Sequence, residues 1–385
     1  MKNRIQSLLY MFCERLIFYI LRVRAVTKYN TKFKDVFKVT KLTSEQKRKV
    51  DKLYGENYGR KVSYIWHRYF TTFTGNFDEN YFPEFKYMAE YEWYMTPRKE
   101  YRYVFADKNV IPIIAGKVGI RTPKVLVSRT AGIYRDNNLA PISESQALES
   151  IINGGIMFAK PSVDSSSGRG CRLINIVNRM DMETGDSIKQ IFSSLGENFV
   201  IQEVVKCHKS VSRLHPESVN TFRIMTYRWR NKIVCSPITM RIGVGKSHVD
   251  NAHAGGIFIA VDNDGTLHKT AYTEYNQQFT EHPDTHICFE GYKIENVNKI
   301  LKAAERMHYA IPQVGVVNWD YTLDEDGEPL LIEANMRATG SVWLFEIAHG
   351  KGVFGANTSE MLQWLRKMRK TPYYKREKIN YGRLE

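Results

Sequence analysis

The chain has 385 residues, 43% of them hydrophobic and 25% charged, a make-up of ordinary globular proteins that excludes a disordered or collagen-like chain. Its 56 Lys and Arg against 41 Asp and Glu give a formal net charge of +15, which favours polyanionic partners such as nucleotides, phosphorylated sugars, nucleic acid or an anionic membrane face. Five dispersed cysteines (Cys13, Cys171, Cys207, Cys235 and Cys288) share no zinc or redox spacing, so a reducing compartment and a role as small buried hydrophobes are expected.

No secretory signal is read at the start of the chain. Residues 8–23 are apolar, but Glu14 and Arg15 interrupt them and the run is short for a transmembrane helix. With Arg22, Arg24 and Lys28 beside it, the segment fits two readings: a basic-edged helix in a membrane interface, or a helix packed on the protein body. The expected location is cytoplasmic; in the first of these readings residues 8–28 make peripheral contact with the inner face of the membrane.

Residues 1–105 read as a mainly helical, aromatic-rich region. Its aromatic run beside basic residues could stack on nucleic acid, but no helix-turn-helix, finger or RNP pattern accompanies it, and nucleic acid is not expected as a partner. From Asp107 onward short β-rich runs alternate with amphipathic helices. Residues 124–129 form a strand candidate, and a helix is expected to start at the Ser143 cap. Residues 156–161 and 171–177 read as strands joined by a Ser/Gly loop, followed by a helix near 185–195 and a strand at 199–205. FRIMTYRW, KIVCSPITMRI and GGIFIAV read as further strands, with helices near 293–309 and 358–370 and a hairpin at 315–335. The expected organisation is a helical region at 1–105, a first lobe at 106–205, a second at 206–372 and a basic tail at 373–385.

The hairpin carries the sharpest pattern. Asp326-Gly327 is a favoured two-residue turn, because both positions tolerate positive φ. That turn sets Asp320 opposite Glu333 and Asn318 opposite Asn335, with Val317, Trp319, Tyr321, Ile332 and Ala334 on the apolar face. Two directly opposed carboxylates repel each other, and a divalent cation would offset the repulsion. Mg²⁺ prefers carboxylate and amide oxygens together with substrate phosphates.

Lys160 ends a buried-looking strand, where a lysine is costly unless it meets an anion. Ser165, Ser166, Ser167, Gly168, Arg169 and Gly170 follow, small and donor-rich enough to approach phosphates. The loop is not a Walker A motif, no kinase set is present, and no GxGxxG opens a helix.

The order of a lysine strand, a Ser/Gly loop, a strand ending in Gln202-Glu203, and then Asp320 with Glu333-x-Asn335 resembles the ATP-grasp superfamily. The chain is most similar to the sugar-transfer-associated ATP-grasp family of bacterial polysaccharide synthesis. The supporting motifs include WHRYFTTFTGNFD, ADK at 106–108, GIRTP, FAKPSVDSSSGRGCRLI, VIQEVV, VNTFRI, DNAHAGG and IEANMR. The resemblance implies an α+β fold of two lobes clasping ATP, preceded by the helical region. It implies that Lys108 and Lys160 touch phosphates, that the loop around Gly168 closes over them, and that Gln202 and Glu203 meet adenine. Asp320, Glu333 and Asn335 would hold one or two Mg²⁺ ions. Arg223, Arg241 and Arg337 are candidate cations beside the reacting centre, and His253 with Asp250 and Asn251 would orient the acceptor or act as a base. The implied activity is an ATP-dependent carboxylate–amine ligase acting through an acylphosphate, joining an amino acid to a sugar-linked group. The alternatives are a phosphotransferase on the same scaffold and a non-catalytic, membrane-docked scaffold.

Overall fold

The computed structural model describes residues 2–152, 154–163, 169–336 and 342–376. Two antiparallel sheets organise the chain. The smaller contains β1 (Val125–Thr130), β2 (Ile133–Arg135), β3 (Pro141–Ile142), β4 (Gly155–Pro161), β5 (Arg172–Val177), β6 (Met180–Asp181) and β7 (Phe199–Glu203), in the order β3-β2-β1-β7-β4-β5-β6. The larger contains β8 (Thr221–Trp229), β9 (Lys232–Cys235), β10 (Ile238–Ile242), β11 (Ile257–Val261), β12 (Ala271–Tyr272), β13 (Gln278–Phe279), β14 (Val316–Leu323) and β15 (Pro329–Asn335). Its order is β13-β12-β11-β10-β8-β14-β15, with β9 also paired to β8.

Side-chain alternation gives each sheet its cores. Val127, Met157, Ala159, Ile174, Ile176, Phe199 and Ile201 pack with helices Glu144–Glu149 and Ile188–Leu195 over the small sheet. Ser143 and Ser187 start those helices with complete capping boxes, pairing with Gln146 and Gln190. On the large sheet, Phe222, Ile224, Met240, Val317, Trp319 and Tyr321 face helix Val297–Ala310. The opposite face of the large sheet, including Met225, Tyr227, Trp229 and Val316, meets residues from the helical N-terminal region and helix Thr358–Lys370.

The first 105 residues are therefore a layer on the large sheet. Gly315 shows how close the contact is: a side chain there would meet the Met95 carbonyl oxygen at 1.9 Å. Residues just after them also pack on the large sheet, since Ile111, Ala115 and Ile120 join its core.

Several elements differ from expectation. KIVCSPITMRI is two strands, β9 and β10, interrupted at Ser236-Pro237, where proline cannot donate to a ladder. The apolar N-terminal run is part of one helix, Lys2–Lys32. Helix Val342–His349 went unread because its residues are buried nearly all round and show no polar period.

The hairpin joins its strands differently from a two-residue turn. Leu323 pairs with Pro329, and the Asp324 N–H donates to the Glu328 carbonyl at 2.9 Å, leaving three loop residues with Gly327 at φ +75°. A bulge at Ile332 then restores the register, so Asp320 still opposes Glu333 and Asn318 still opposes Asn335.

Packing withdraws three histidine rings from water. His67, His308 and His349 each reach a backbone carbonyl, of Glu79, Val314 and Ile238 respectively. Burial pushes each ring down to about 4. The native state therefore keeps them neutral where an unfolded chain, titrating near 6.5, takes up protons. Their contribution to stability is complete above the unfolded value and is lost as pH falls from there toward 4. Urea denaturation is expected to show a clearly lower midpoint near the bottom of that window than at neutral pH; an unchanged midpoint would refute the assignment.

Candidate functional site

The site forms where the two sheets approach. A cleft there is lined by Lys108, Thr122, Lys160 and Gln202 on one side and by Ile332 and Glu333 on the other. Lys108 bridges the sides. Its N–H donates to the Ser162 carbonyl at 3.0 Å, just beyond β4, and its ammonium lies 3.0 Å from Glu333 on β15.

Lys160 is buried on β4. Burial is the main cause that pushes its ammonium down to about 8; Glu333 opposes the shift and Lys108 adds to it. Gln202, on the neighbouring β7, shares the cleft, whereas Glu203 does not. Period-two alternation turns Glu203 away from the cleft face of Gln202, and at the end of its strand the exposed carboxylate accepts from Lys124 at 2.9 Å. The Glu203 side chain thus lies outside the lining of the cleft.

Beside the lysines lies a charged network on the large sheet. Arg223 on β8 directly opposes Asp320 on β14 and donates to it from Nε at 2.5 Å and from Nη2 at 2.9 Å. Arg241 on β10 approaches Asp320 at 3.2 Å and Asp250 at 3.3 Å. Thr221 completes the chain, accepting from Arg241 at 2.8 Å and donating its backbone N–H to Asp250 at 2.9 Å. Period two puts Thr221, Arg223 and the partner position of Arg241 on one face.

Burial alone would push the Asp320 carboxyl up, but Arg223 and Arg241 outweigh it and hold it below the usual carboxylate range. Burial wins at Asp250, whose carboxyl is raised despite Arg241 and Thr221. The repulsion expected between Asp320 and Glu333 is thus offset by the chain's own cations: Arg223 and Arg241 on Asp320, and Lys108 on Glu333.

This arrangement changes the metal reading. Asn335 donates its amide to Asp320 at 3.1 Å, and with the two arginines it occupies both Asp320 oxygens. Asp320 therefore stands as an anchor behind the site. Glu333, with a side chain 34% exposed, engages Lys108 through one oxygen, and Asn335 has an amide oxygen outside the Asp320 contact. These two oxygen donors fit Mg²⁺, a cation held by one or two protein ligands together with substrate phosphates. Among the described residues, no group of three His, Cys, Asp or Glu side chains forms an all-protein metal cage.

Ile332 departs from its expected core position. As the bulged residue it lies half-buried in the cleft lining, while Leu331 and Ala334 join the core. His253 belongs to a separate cluster: its Nδ1 lies 2.7 Å from Glu274, and Glu274 accepts from Lys32 at 2.9 Å. Burial acts to raise the Glu274 carboxyl, but the bonds to His253 and Lys32 prevail and bring it down to about 2. Asn251 caps the short turn that presents His253. Glu274 lay in an irregular segment without a readable pattern. Arg169 and Gly170 flank the Ser/Gly loop; Ser165, Ser166, Ser167 and Gly168 lie outside the described residues, as does Arg337.

Comparison with known proteins adds the family. Residues 86–360 match the sugar-transfer associated ATP-grasp family. The chain belongs to that family. No curated protein sequence matches it. Solved structures similar to the chain include the VanG D-Ala:D-Ser ligase from Enterococcus faecalis, at 13% identity and TM-score 0.41, over 69% of this chain and 62% of the other. An L-amino acid ligase from Bacillus licheniformis aligns at 15% identity and TM-score 0.37, over 68% of this chain and 48% of that enzyme. D-alanyl-alanine synthetase A from Vibrio cholerae O1 biovar eltor aligns at 15% identity and TM-score 0.39, over 68% and 64% respectively. The chain thus spans less than two thirds of each of these proteins, and the assignment rests on the family match.

The anchor and the metal-facing carboxylate should separate experimentally. Asp320→Asn would leave two buried guanidinium groups short of a counter-ion, at a cost of about 3–5 kcal/mol. Glu333→Gln should leave stability within about 1 kcal/mol, since its ion pair with Lys108 is partly solvated. Urea unfolding of both variants checks this, and equal losses would contradict the assigned roles.

Proposed function

We propose that the protein is an ATP-dependent carboxylate–amine ligase that works through an acylphosphate. The observation behind this reading is the cleft itself. Lys108 and Lys160 from the small-sheet side face Glu333 from the large sheet, beside the Arg223–Asp320–Arg241 network. Such a set binds a polyphosphate by charge and holds it by position.

In this reading Lys160 and Lys108 neutralise phosphate oxygens, and the Ser/Gly loop with Ser165, Ser166, Ser167, Gly168, Arg169 and Gly170 closes over them. The adenine lies on Ile332, with Gln202 beside it and the backbone at Glu203 reading the ring edge. Glu333 and Asn335 hold Mg²⁺, which when bound neutralises charge on the phosphates. An oxygen of the substrate carboxylate attacks the γ-phosphorus, the bond to the β–γ bridging oxygen breaks, and ADP leaves. The amine nitrogen then attacks the acyl carbon and phosphate departs. Arg223 and Arg241 are held rigid by Asp320 and Asp250, so their positive charge is already in place as negative charge shifts between oxygens. Arg337 is assigned to the mouth of this site. His253, fixed by Glu274 and close in sequence to Asp250 and Asn251, accepts the proton that the amine releases.

The family description supports a sugar-linked substrate, and we assign the protein to the cytoplasmic side of bacterial polysaccharide synthesis, joining an amino acid to a sugar-linked group. The decisive assay incubates the protein with Mg-ATP and panels of amino acids, uronic acids and amino sugars. Orthophosphate and ADP are expected only when a carboxylate and an amine are both present. ADP without orthophosphate, formed with a single hydroxyl substrate, would identify a phosphotransferase instead.

Binding supplies an independent check. An ammonium that titrates at about 8 is charged at neutral pH and increasingly neutral above it. The Kd for Mg-ATP is expected to rise by up to about tenfold per pH unit above that value. Lys160→Met should bind more weakly at neutral pH and lose most of this dependence. The same slope in both proteins would exclude Lys160 as its source.

A further inference from the structure

The helix Lys2–Lys32 has two unlike faces. One is built into the protein. Glu14 accepts from the Trp93 indole and from Arg376, both at 2.7 Å, and Phe18 meets the rings of Trp93 and Tyr94 edge-on. Farther along, the Tyr29 hydroxyl donates to Glu84 at 2.7 Å, and Lys32 binds Glu274. This face holds the helix firmly against the helical layer and the large sheet.

The other face is exposed and apolar. Ile5, Leu8, Leu9, Phe12, Leu16, Tyr19, Ile20 and Val23 are all exposed, with Leu8 and Phe12 each at 68%. At about 100° per residue they fall within an arc of roughly 120°, opposite Glu14 and Phe18. Scattered exposed apolar residues need no explanation, but a continuous stripe along five turns does.

The edges of the stripe identify what it meets. Exposed Arg15 and Arg22 run along one side of it, and exposed Arg24 and Lys28 lie toward the other. Glu14 is the only acidic residue in the helix, and it is buried and paired. The whole chain adds a formal +15. An apolar stripe between cationic edges complements an anionic bilayer surface: the apolar side chains enter the acyl boundary and the arginines meet lipid phosphates. A second copy of the chain is disfavoured by the same edges, because stripe-to-stripe packing brings arginine rows together. Among the described residues no helix is long and apolar enough to cross a membrane.

We propose that this face is a peripheral membrane-docking surface that seats the protein on anionic lipid, with the helix axis parallel to the bilayer and its apolar stripe about 5–10 Å deep. The docking surface is independent of the nucleotide cleft, and its test does not use catalysis.

The test is sedimentation of the full chain with vesicles of phosphatidylcholine alone or mixed with phosphatidylglycerol. Strong partition is expected only onto the mixed vesicles, and added salt should weaken it. A triple variant, Leu8→Glu, Leu9→Glu and Phe12→Glu, changes only exposed side chains and should lose at least about tenfold in partition with an unchanged circular dichroism spectrum. Arg15→Glu with Arg24→Glu should reduce binding while keeping the apolar stripe. Absence of partition, or equal partition of the triple variant, overturns the proposal. So does a wild-type dimer, seen by sedimentation velocity without lipid, that the triple variant converts to a monomer.

Discussion

The buried pairing of Arg223 with Asp320 is the contact on which the site depends. Two ions taken from water onto neighbouring strands are costly unless geometry satisfies both. Here the antiparallel register puts them directly opposite, so the guanidinium can meet both carboxylate oxygens. The remaining demand spreads outward. Arg241 shares Asp320, Asp250 answers Arg241, and Thr221 answers Asp250. Strands β10, β8, β14 and β15 thus support one polar network within an otherwise apolar sheet. Its arginines cannot wander, because movement would strand a buried charge.

The second constraint is that the cleft is made by two sheets and belongs to neither. Lys160 and Gln202 stand on the small sheet, and Ile332 and Glu333 on the large one. Lys108 touches both, through Ser162 and Glu333. Arg121 adds another tie: its carbonyl accepts from Leu331, and its guanidinium reaches Asp324 at the hairpin tip. Nucleotide-dependent chemistry at such a junction is sensitive to the spacing between the sheets.

Much of this was legible from local pattern. Period two predicted the shared face of Asn318 and Asp320, and turn chemistry predicted their partners across the hairpin. The partners are right for a compensated reason: the loop is one residue longer than Asp-Gly alone suggests, and the bulge at Ile332 returns the difference. Patterning cannot see a bulge, so Ile332 was assigned to the core. The link from Lys32 to Glu274 spans 242 positions and lies in an irregular segment, where neither period nor spacing operates. Strands of two or three residues, such as β3, β12 and β13, are too short to show a period.

Lys32 is the last residue of the N-terminal helix, and through Glu274 it bears on His253. A fragment limited to the family match, residues 86–360, would keep both His253 and Glu274 but discard that lysine. Glu274 would then keep its bond to His253 but lose the ammonium that holds its other oxygen. The imidazole would lose the fixed carboxylate that orients it, although no residue near it in sequence had been removed. The boundary of the recognisable family segment is therefore narrower than the boundary of the working unit.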